Sequence, residues 1–189
     1  MQEIDFMDKI TTALDMALHK RDEYTHSHSS RVVDVATKLG EKFNLSPAEL
    51  KVLRICARFH DIGKIGIPDS ILLKPGKLTD SEFTVIKTHS QIGVSIINKI
   101  DMPDIDVYVD IILYHHEWFD GSGYPAGIKG NDIPLCSRII AVADSYDAMT
   151  SRRTYRDSLP IETVLKIMKE ENGRHFDPAV SEVFFKIIG

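Results

Sequence analysis

The chain has 189 residues, 43% of them hydrophobic, and a formal net charge of −5. This length suits one domain with one sizeable core, and the negative charge argues against a surface that binds nucleic-acid polymers through overall positive charge. No apolar run approaches the roughly 20 residues that a membrane-spanning helix needs. The two cysteines, Cys56 and Cys136, lie in apolar stretches without a C-x-x-C partner, which indicates core thiols in a reducing compartment, most simply the cytoplasm.

The N-terminal segment is predicted to be helical and separable from the rest. Residues 4–20 carry a moderate apolar stripe with helical spacing. This stripe suits core packing, a joint to an upstream sensor or receiver domain, or a contact with a second copy of the chain. We therefore divide the chain into an N-terminal helix, 1–24, and a main domain, 25–189. The next predicted helix begins the main domain, places His28 on its apolar face and ends near Gly40.

The stretch His60-Asp61-Ile62-Gly63-Lys64 follows the third predicted helix, which a capping box at residues 46–49 begins with proline at the first helical position. Apolar spacing makes His60 the end of the inward stripe, with Asp61 on the neighbouring face. Gly63 is expected to let the chain leave the helix at a φ that other residues resist. A buried imidazole beside a buried carboxylate favours a bound cation, although His60 could instead only cap helix carbonyls.

The middle of the chain supplies a second inward histidine. Residues 63–78 are predicted to form an ordered loop, with a type II turn at Lys74-Pro75-Gly76-Lys77. A second capping box, Thr79-x-x-Glu82, is expected to open one helix that continues to about Ile100. On that helix His89 falls on the apolar face.

The second half supplies two further histidines and a carboxylate. The stripe from Ile105 ends at His115 and His116, and the glycine-rich stretch 117–130 cannot be regular structure. The following helix carries Asp144 on its inner face. Two last helices are predicted at about 160–172 and 178–187. With no convincing strand, the sequence predicts an all-α bundle.

Inward histidines and carboxylates therefore come from several different helices. Imidazole with carboxylate suits iron, manganese or zinc better than calcium or magnesium. There are too many ligands for one tetrahedral zinc, whereas two metals bridged by Asp61 would use them all. The candidate metal ligands are His28, His60, Asp61, His89, His115, His116 and Asp144.

These residues lie in four stretches that resemble a known family. His60-Asp61, with an earlier His28 and a later Asp144, is similar to the H…HD…D pattern of the HD metal-dependent phosphohydrolases. The longer stretches resemble the HD-GYP cyclic-di-GMP phosphodiesterases, from about Tyr24 to Phe184. They are HDIGKIGIPDSILLKPGKL from His60, His89-x-x-x-Gly93, HHEWFDGSGYPAG from His115 and AVADSYDAMTSRRTYR from Ala141. The resemblance implies an HD-domain helical bundle with C-terminal HD-GYP helices.

The resemblance also implies roles for individual residues. His60, Asp61 and Asp144 would hold one metal, completed or supported by His28, and Asp61 would bridge to a second. The second metal would be held by His89, His115 and His116. Lys64 would stabilise charge on the reacting phosphate and could donate a proton, so that Asp61, Lys64 and Asp144 form the catalytic group. Substrate would contact Gly123, Tyr124 and Pro125 on the guanine side and Arg153 and Arg156 through phosphate oxygens.

The implied reaction is hydrolysis of cyclic-di-GMP by a hydroxide that bridges two iron or manganese ions. One cut yields pGpG and a second would yield GMP. Some family members hold a third metal with a glutamate four residues before the first histidine. Here Tyr24 stands at that position, so two metals are expected.

Three alternatives stay open at this point. The first is another HD hydrolase acting on ppGpp or dNTPs, although residues 115–125 form a loop that such enzymes do not need. The second is a degenerate module that binds cyclic-di-GMP or a partner protein without hydrolysis, which would predict missing ligands. The third is a mixed-valent di-iron oxygenase, for which the sequence gives no positive sign. The sequence does not separate cyclic-di-GMP from a mixed cyclic GMP-AMP dinucleotide.

Overall fold

The computed structural model describes residues 14, 16, 23–100, 104–151 and 158–188, with the side chains of the first helix described from residue 27 onward. Regular structure in these ranges is helical, apart from one isolated bridge between Asn172 and Phe176, which confirms the predicted all-α fold. The α-helices are α1 (Glu23–Lys42), α2 (Pro47–Phe59), α3 (Asp69–Leu72), α4 (Asp80–Lys87), α5 (His89–Ile97), α6 (Ile105–Leu113), α7 (Leu135–Thr150), α8 (Ile161–Glu170) and α9 (Pro178–Ile188). Two 3₁₀ turns lie at Ile62–Gly66 and Gly130–Asp132.

Both predicted capping boxes begin helices. The Ser46 hydroxyl accepts from the Glu49 backbone N–H and the Glu49 carboxylate accepts from Ser46 N–H, with Pro47 at the first helical position of α2. Thr79 and Glu82 repeat this reciprocal pair at α4. Each box satisfies backbone donors that a helix start would otherwise leave without a partner.

A single core lies between α1, α2, α6, α7 and α9. α1 packs against both α2 and α7, and α5 packs against the 3₁₀ turn at Ile62–Gly66 and against α6. Fully buried side chains from these helices fill the centre, among them Leu39, Phe59, Ile112 and Phe184. The packing places the C-terminal ends of α2, α4 and α6 beside the N-terminal part of α1 and the second half of α7. Within the described residues no helix is long and apolar enough to cross a membrane.

The single helix predicted over residues 79–100 is two helices, α4 and α5, which meet at Thr88. At this junction two side chains bond to backbone carbonyls of α4. The Thr88 hydroxyl donates to Val85 O, and Nδ1 of His89 lies 2.7 Å from Ile86 O. The stripe predicted through His116 likewise ends earlier, at Leu113, and the two histidines follow α6. The apolar spacing continues through the break at Thr88 and past the end of α6, so it predicted neither boundary.

Glycine is needed at position 63 for a different reason from the one predicted. It lies within the 3₁₀ turn and is not among the glycines with positive φ, so it makes no left-handed exit from a helix. A Cβ on Gly63 would lie 1.8 Å from the carbonyl oxygen of His89 and 2.5 Å from the nitrogen of Gly93. Only a residue without a side chain lets this turn approach α5 so closely. By contrast, Gly76 has a φ of +100°, as the predicted type II turn requires.

Candidate metal centre

The seven candidate ligands converge although five helices or helix ends supply them. His28 projects from α1 and Asp144 from α7, while His60 and Asp61 follow α2. Their ligand atoms form two groups, each with its members within 4.8 Å of one another. One group is His28, His60 and Asp144, and the other is Asp61, His89, His115 and His116.

Asp61 lies between the two groups. Its Oδ1 is 3.5 Å from His89 Nε2, and its Oδ2 is 3.4 Å from His60 Nε2. His28 Nε2 is 3.9 Å from the same Oδ2 and 3.2 Å from Asp144 Oδ1. One carboxylate therefore faces imidazoles of both groups. The Lys64 ammonium donates to Asp61 Oδ2 at 2.6 Å.

Three of these histidines share one local arrangement. The Nδ1 of His60, His89 and His115 each lies 2.7 Å from the carbonyl oxygen three residues earlier. A carbonyl only accepts, so Nδ1 carries the proton and Nε2 is left with its lone pair directed into the cluster. His60 thus caps a helix carbonyl with Nδ1 and faces the cluster with Nε2, so the cap leaves the other ring nitrogen available to a metal.

His28 is held differently, because it lies inside a helix. Its Nδ1 is 2.7 Å from Asp147 Oδ2, a carboxylate one turn after Asp144 on α7. Arg31 donates to both oxygens of Asp147, at 2.5 and 3.0 Å. Histidines that bind a metal through one ring nitrogen commonly bond to a carboxylate through the other. Asp147 was not among the predicted site residues, although its i, i+3 spacing from Asp144 on the same helix was the available signal.

Burial keeps the imidazoles of the second group neutral. It lowers the pKa of His115 well below its usual value, with neighbouring His116 and His60 adding to the effect. Burial, aided by His89, lowers the pKa of His116 to about 3. The pKa of His89 is lowered as well, again by burial and against the attraction of Asp61. Neutral imidazoles with free lone pairs are the form that binds a metal.

The carboxylates are ionised. Burial alone would raise the pKa of Asp61, but the charge of Lys64, with the neighbouring His60 adding to it, outweighs burial and holds that pKa well below the usual value. The pKa of Asp144 is lowered in the same way by its contact with His28, against its burial. Burial would lower the pKa of His28, yet hydrogen bonds to Asp144 and Asp147 raise it to about 9. The ionised carboxylates thus meet the neutral imidazoles of the second group in one cluster, while His28 carries a proton between Asp144 and Asp147.

The donor set fits metal cations. His60 Nε2 is fully buried and has no hydrogen-bond partner, and His89 Nε2 lies 3.4 Å from His115 Nε2, an approach of two lone pairs. Buried polar atoms without partners are rare in folded proteins, and an ion between them removes that cost. This cluster of histidines and aspartates can therefore hold divalent metal.

The Gly123-Tyr124-Pro125 segment lies against the second group. The Tyr124 ring is 4.9 Å from the His116 ring between centroids, and burial raises the Tyr124 pKa. A Cβ on Gly123 would lie 2.2 Å from the backbone nitrogen of Trp118, so this glycine is required for the close return of the chain. The Lys87 ammonium lies over two rings, 5.4 Å from the centroid of Tyr124 and 5.0 Å from that of Phe83.

Glu117 holds the loop that follows Pro125 and, like Asp147, was not among the predicted site residues. It is buried, and its carboxylate accepts from the backbone N–H groups of Ala126 and Gly127. Further along, Phe119 N–H and Asp120 N–H donate to carbonyls of the segment before α9. These contacts fix the loop that carries Tyr124 beside the cluster.

Three predicted features lie outside what the structure describes. Arg153 and Arg156 fall between the described ranges that end at residue 151 and resume at 158. The backbone of Tyr24 belongs to α1, but its side chain is not described. Most of the predicted N-terminal helix, 4–20, is also outside. The assignments for these residues stay predictions.

Comparison with known proteins identifies the family of this chain. The model of a family described as HD domain matches residues 12–180, which is most of the chain. The chain belongs to the HD domain family. The resemblance predicted from the sequence is thereby confirmed, and metal dependence is a property of the HD fold that the histidine–aspartate cluster can serve.

HD relatives from several bacteria are similar over nearly all of the chain. A cyclic di-GMP phosphodiesterase of Thermotoga maritima is 42% identical over 97% of this chain and 50% of its own length. The cyclic di-GMP phosphodiesterase response regulator RpfG of Xanthomonas campestris is 41% identical over 94% of this chain and 47% of its own. A 3'3'-cGAMP-specific phosphodiesterase 2 of Vibrio cholerae is 36% identical over 90% and 33%. The chain thus spans about half or less of the length of these curated relatives.

Solved HD structures share the fold at lower sequence identity. A cyclic GMP-AMP phosphodiesterase of Vibrio cholerae has a TM-score of 0.69 at 22% identity, covering 98% of this chain and 48% of that one. The HD-GYP-type protein Bd1817 of Bdellovibrio bacteriovorus has a TM-score of 0.67 at 19% identity, over 99% and 60%. The Listeria monocytogenes PgpH HD domain in complex with cyclic-di-AMP has a TM-score of 0.65 at 18% identity, over 92% of both chains.

Proposed function

We propose that this chain is a metal-dependent phosphodiesterase domain that hydrolyses cyclic-di-GMP to pGpG, with GMP as the product of a second cut. The observation that carries the proposal is the position of Asp61 between two histidine groups, beside the loop of Tyr124. The relatives named cyclic di-GMP phosphodiesterases at about 40% identity support the substrate.

Two metal ions, iron or manganese, would be held by the two groups described above, with Asp61 shared. When bound, they would supply a hydroxide nucleophile at neutral pH and neutralise charge on the phosphoryl oxygens. Tyr24 in place of a glutamate is the reason for two metals rather than three. Imidazole nitrogens and carboxylate oxygens in this ratio favour these ions over calcium or magnesium.

The residues of the chain would position the substrate and compensate its charge. Lys64 donates a hydrogen bond to Asp61. From this position its ammonium can turn to a phosphoryl oxygen of the substrate as negative charge develops on that oxygen. Tyr124 would line the guanine side of the pocket between Gly123 and Pro125. Lys87 presents a cation over the Tyr124 ring, and Arg153 and Arg156 would bind the phosphate that is not cut.

The assay compares cyclic dinucleotides directly. Metal-depleted protein is reconstituted with Mn²⁺ or Fe²⁺ under anaerobic conditions, and cyclic-di-GMP, 3'3'-cGAMP and cyclic-di-AMP are supplied at equal concentration. Chromatography of the products is expected to show pGpG first, and elemental analysis two metals per chain. No turnover of any cyclic dinucleotide, together with turnover of ppGpp or dNTPs, would refute the proposal.

3'3'-cGAMP is the second candidate substrate, since a relative at 36% identity is named for it. A faster kcat/KM for 3'3'-cGAMP than for cyclic-di-GMP would favour it. We place either activity in the cytoplasm, where the free thiols Cys56 and Cys136 stay reduced. An upstream sensor or receiver domain and a homodimer are proposed as partners through residues 1–24.

A further inference from the structure

The ligand histidines differ in what stands behind them. His60, His89 and His115 donate from Nδ1 to neutral backbone carbonyls three residues earlier in the chain. His28 instead meets Asp147, an anion supplied by another helix. A negative partner makes an imidazole a stronger electron donor to a metal than a carbonyl does, and it fixes the ring's orientation.

Asp147 is itself held from three sides. It is 3% exposed, and Arg31 bonds to both of its oxygens. The Ser151 hydroxyl donates to Oδ1 at 3.1 Å, leaving Oδ2 directed at His28. Asp144, one turn earlier on α7, faces the other nitrogen of the same imidazole at 3.2 Å. One helix thus contributes a ligand to the first group and the support of a second ligand in that group.

We propose that Asp147 is a positioning residue for one metal site only. It orients His28 toward the site shared with His60 and Asp144 and increases that site's affinity for metal. The site of Asp61, His89, His115 and His116 has no such support from Asp147 and keeps its affinity without it. The two sites are consequently unequal. This inference rests on the proposed function in one respect, that two metals bind.

The test is a Mn²⁺ titration of the metal-depleted full chain, with free Mn²⁺ measured by electron paramagnetic resonance. The wild type is expected to bind two ions. Asp147→Asn keeps the size of the side chain but removes its charge. It should weaken one site by about 10- to 100-fold and leave the other within about twofold of the wild type.

Asp177→Asn is the matched control. Asp177 is also buried, at 4% exposure, and also pairs with an arginine, through Arg138 Nη1 at 2.5 Å, but it contacts no ligand histidine. It should lose stability, as measured by urea unfolding, while binding two ions with wild-type affinity. Equal weakening by both variants would show that Asp147 matters only for folding and would overturn the proposal.

A double variant tests whether Asp147 acts through His28. In the His28→Gln background, adding Asp147→Asn should weaken the affected site by less than about twofold, because the intermediary is already gone. Full additivity would overturn the proposal. Ser151→Ala, which removes one hydrogen bond to Asp147, replaces Asp147→Asn in the test if that variant does not fold. It should weaken metal binding at the same site by about two- to fivefold.

The outcomes separate this inference from the proposed function. Two ions in the wild type and unchanged affinities in Asp147→Asn would refute the role of Asp147 and leave the proposed function standing. Fewer than two ions in the wild type would refute the two-metal centre and the inference with it. Weakening of both sites alike by Asp147→Asn would refute the selectivity.

Discussion

Replacing Gly63 by alanine tests how the His60–Asp61 turn is brought to α5. The added Cβ would lie 1.8 Å from His89 O and 2.5 Å from Gly93 N, so the two backbones would have to separate by about 1.5 Å to reach ordinary contact. Overpacking a core costs about 1–3 kcal/mol, and backbone atoms cannot turn aside as a side chain can. We therefore expect Gly63→Ala to lower the free energy of unfolding by about 3 kcal/mol.

The same movement would draw His89 away from Asp61, whose Oδ1 lies 3.5 Å from His89 Nε2. Urea unfolding of the metal-depleted protein, followed by circular dichroism, gives the loss of stability, and Mn²⁺ titration gives the loss of metal affinity. Both should appear together in Gly63→Ala.

Gly93→Ala is the control, because it adds the same methyl group at the same contact from the other side. Its Cβ would lie 3.4 Å from Ile62 Cγ2 and 3.5 Å from Gly63 N, which is ordinary packing. Alanine is favoured over glycine inside a helix by about 1 kcal/mol, so Gly93→Ala should be neutral or stabilising. A wild-type urea midpoint for Gly63→Ala, or equal losses in both variants, would refute the reasoning.

Four further variants test single roles. Asp61→Ala should lose both metals and activity, because two cations would face each other without the shared carboxylate, as elemental analysis would show. Lys64→Ala should keep both metals and lose about 10²- to 10³-fold in kcat, and full activity would remove its assigned role. Arg153→Ala should raise KM for cyclic-di-GMP about tenfold with little change in kcat, while bis-p-nitrophenyl phosphate, which lacks a second phosphate, should be unaffected; equal losses on both substrates would place Arg153 elsewhere. His175→Gln tests a pH effect, because burial between aromatic rings lowers the pKa of His175 from 6.5 to about 4. Between these two pH values the unfolded chain binds more protons than the folded one, so the free energy of unfolding falls as the pH drops. Urea unfolding at several pH values in this range should show that the free energy of unfolding falls by on the order of 1–2 kcal/mol more in the wild type than in His175→Gln. Parallel pH dependence in the two proteins would contradict this.

Local signals in the sequence predicted local structure well. The capping boxes at Ser46 and Thr79 each involve residues three apart, and both helices begin where predicted. The inward position of His28, His60 and His89 followed from apolar spacing, and all three are buried. Such features depend on neighbours along the chain, which a sequence displays directly.

Features that depend on distant contacts were missed or misjudged. Gly63 was explained by backbone freedom, whereas its reason is the approach of His89, 26 residues away in sequence. The division at Thr88 interrupts a continuous apolar stripe and depends on side chains that bond to carbonyls. Asp147 and Glu117 gain their roles only through α1 and the 126–127 backbone. No spacing rule in the sequence specifies these pairs.

The hydrogen bonds behind the ligand histidines also differ in sequence separation. The bonds of His60, His89 and His115 each close over three residues, so they can form as soon as the neighbouring turn does. The bond from His28 to Asp147 closes over 119 residues and forms only when α1 lies on α7. Closing a long loop carries a larger entropy cost than closing a turn. An opening motion that lifts α1 would therefore disorder one imidazole of the centre and leave three in the tautomer that binds metal.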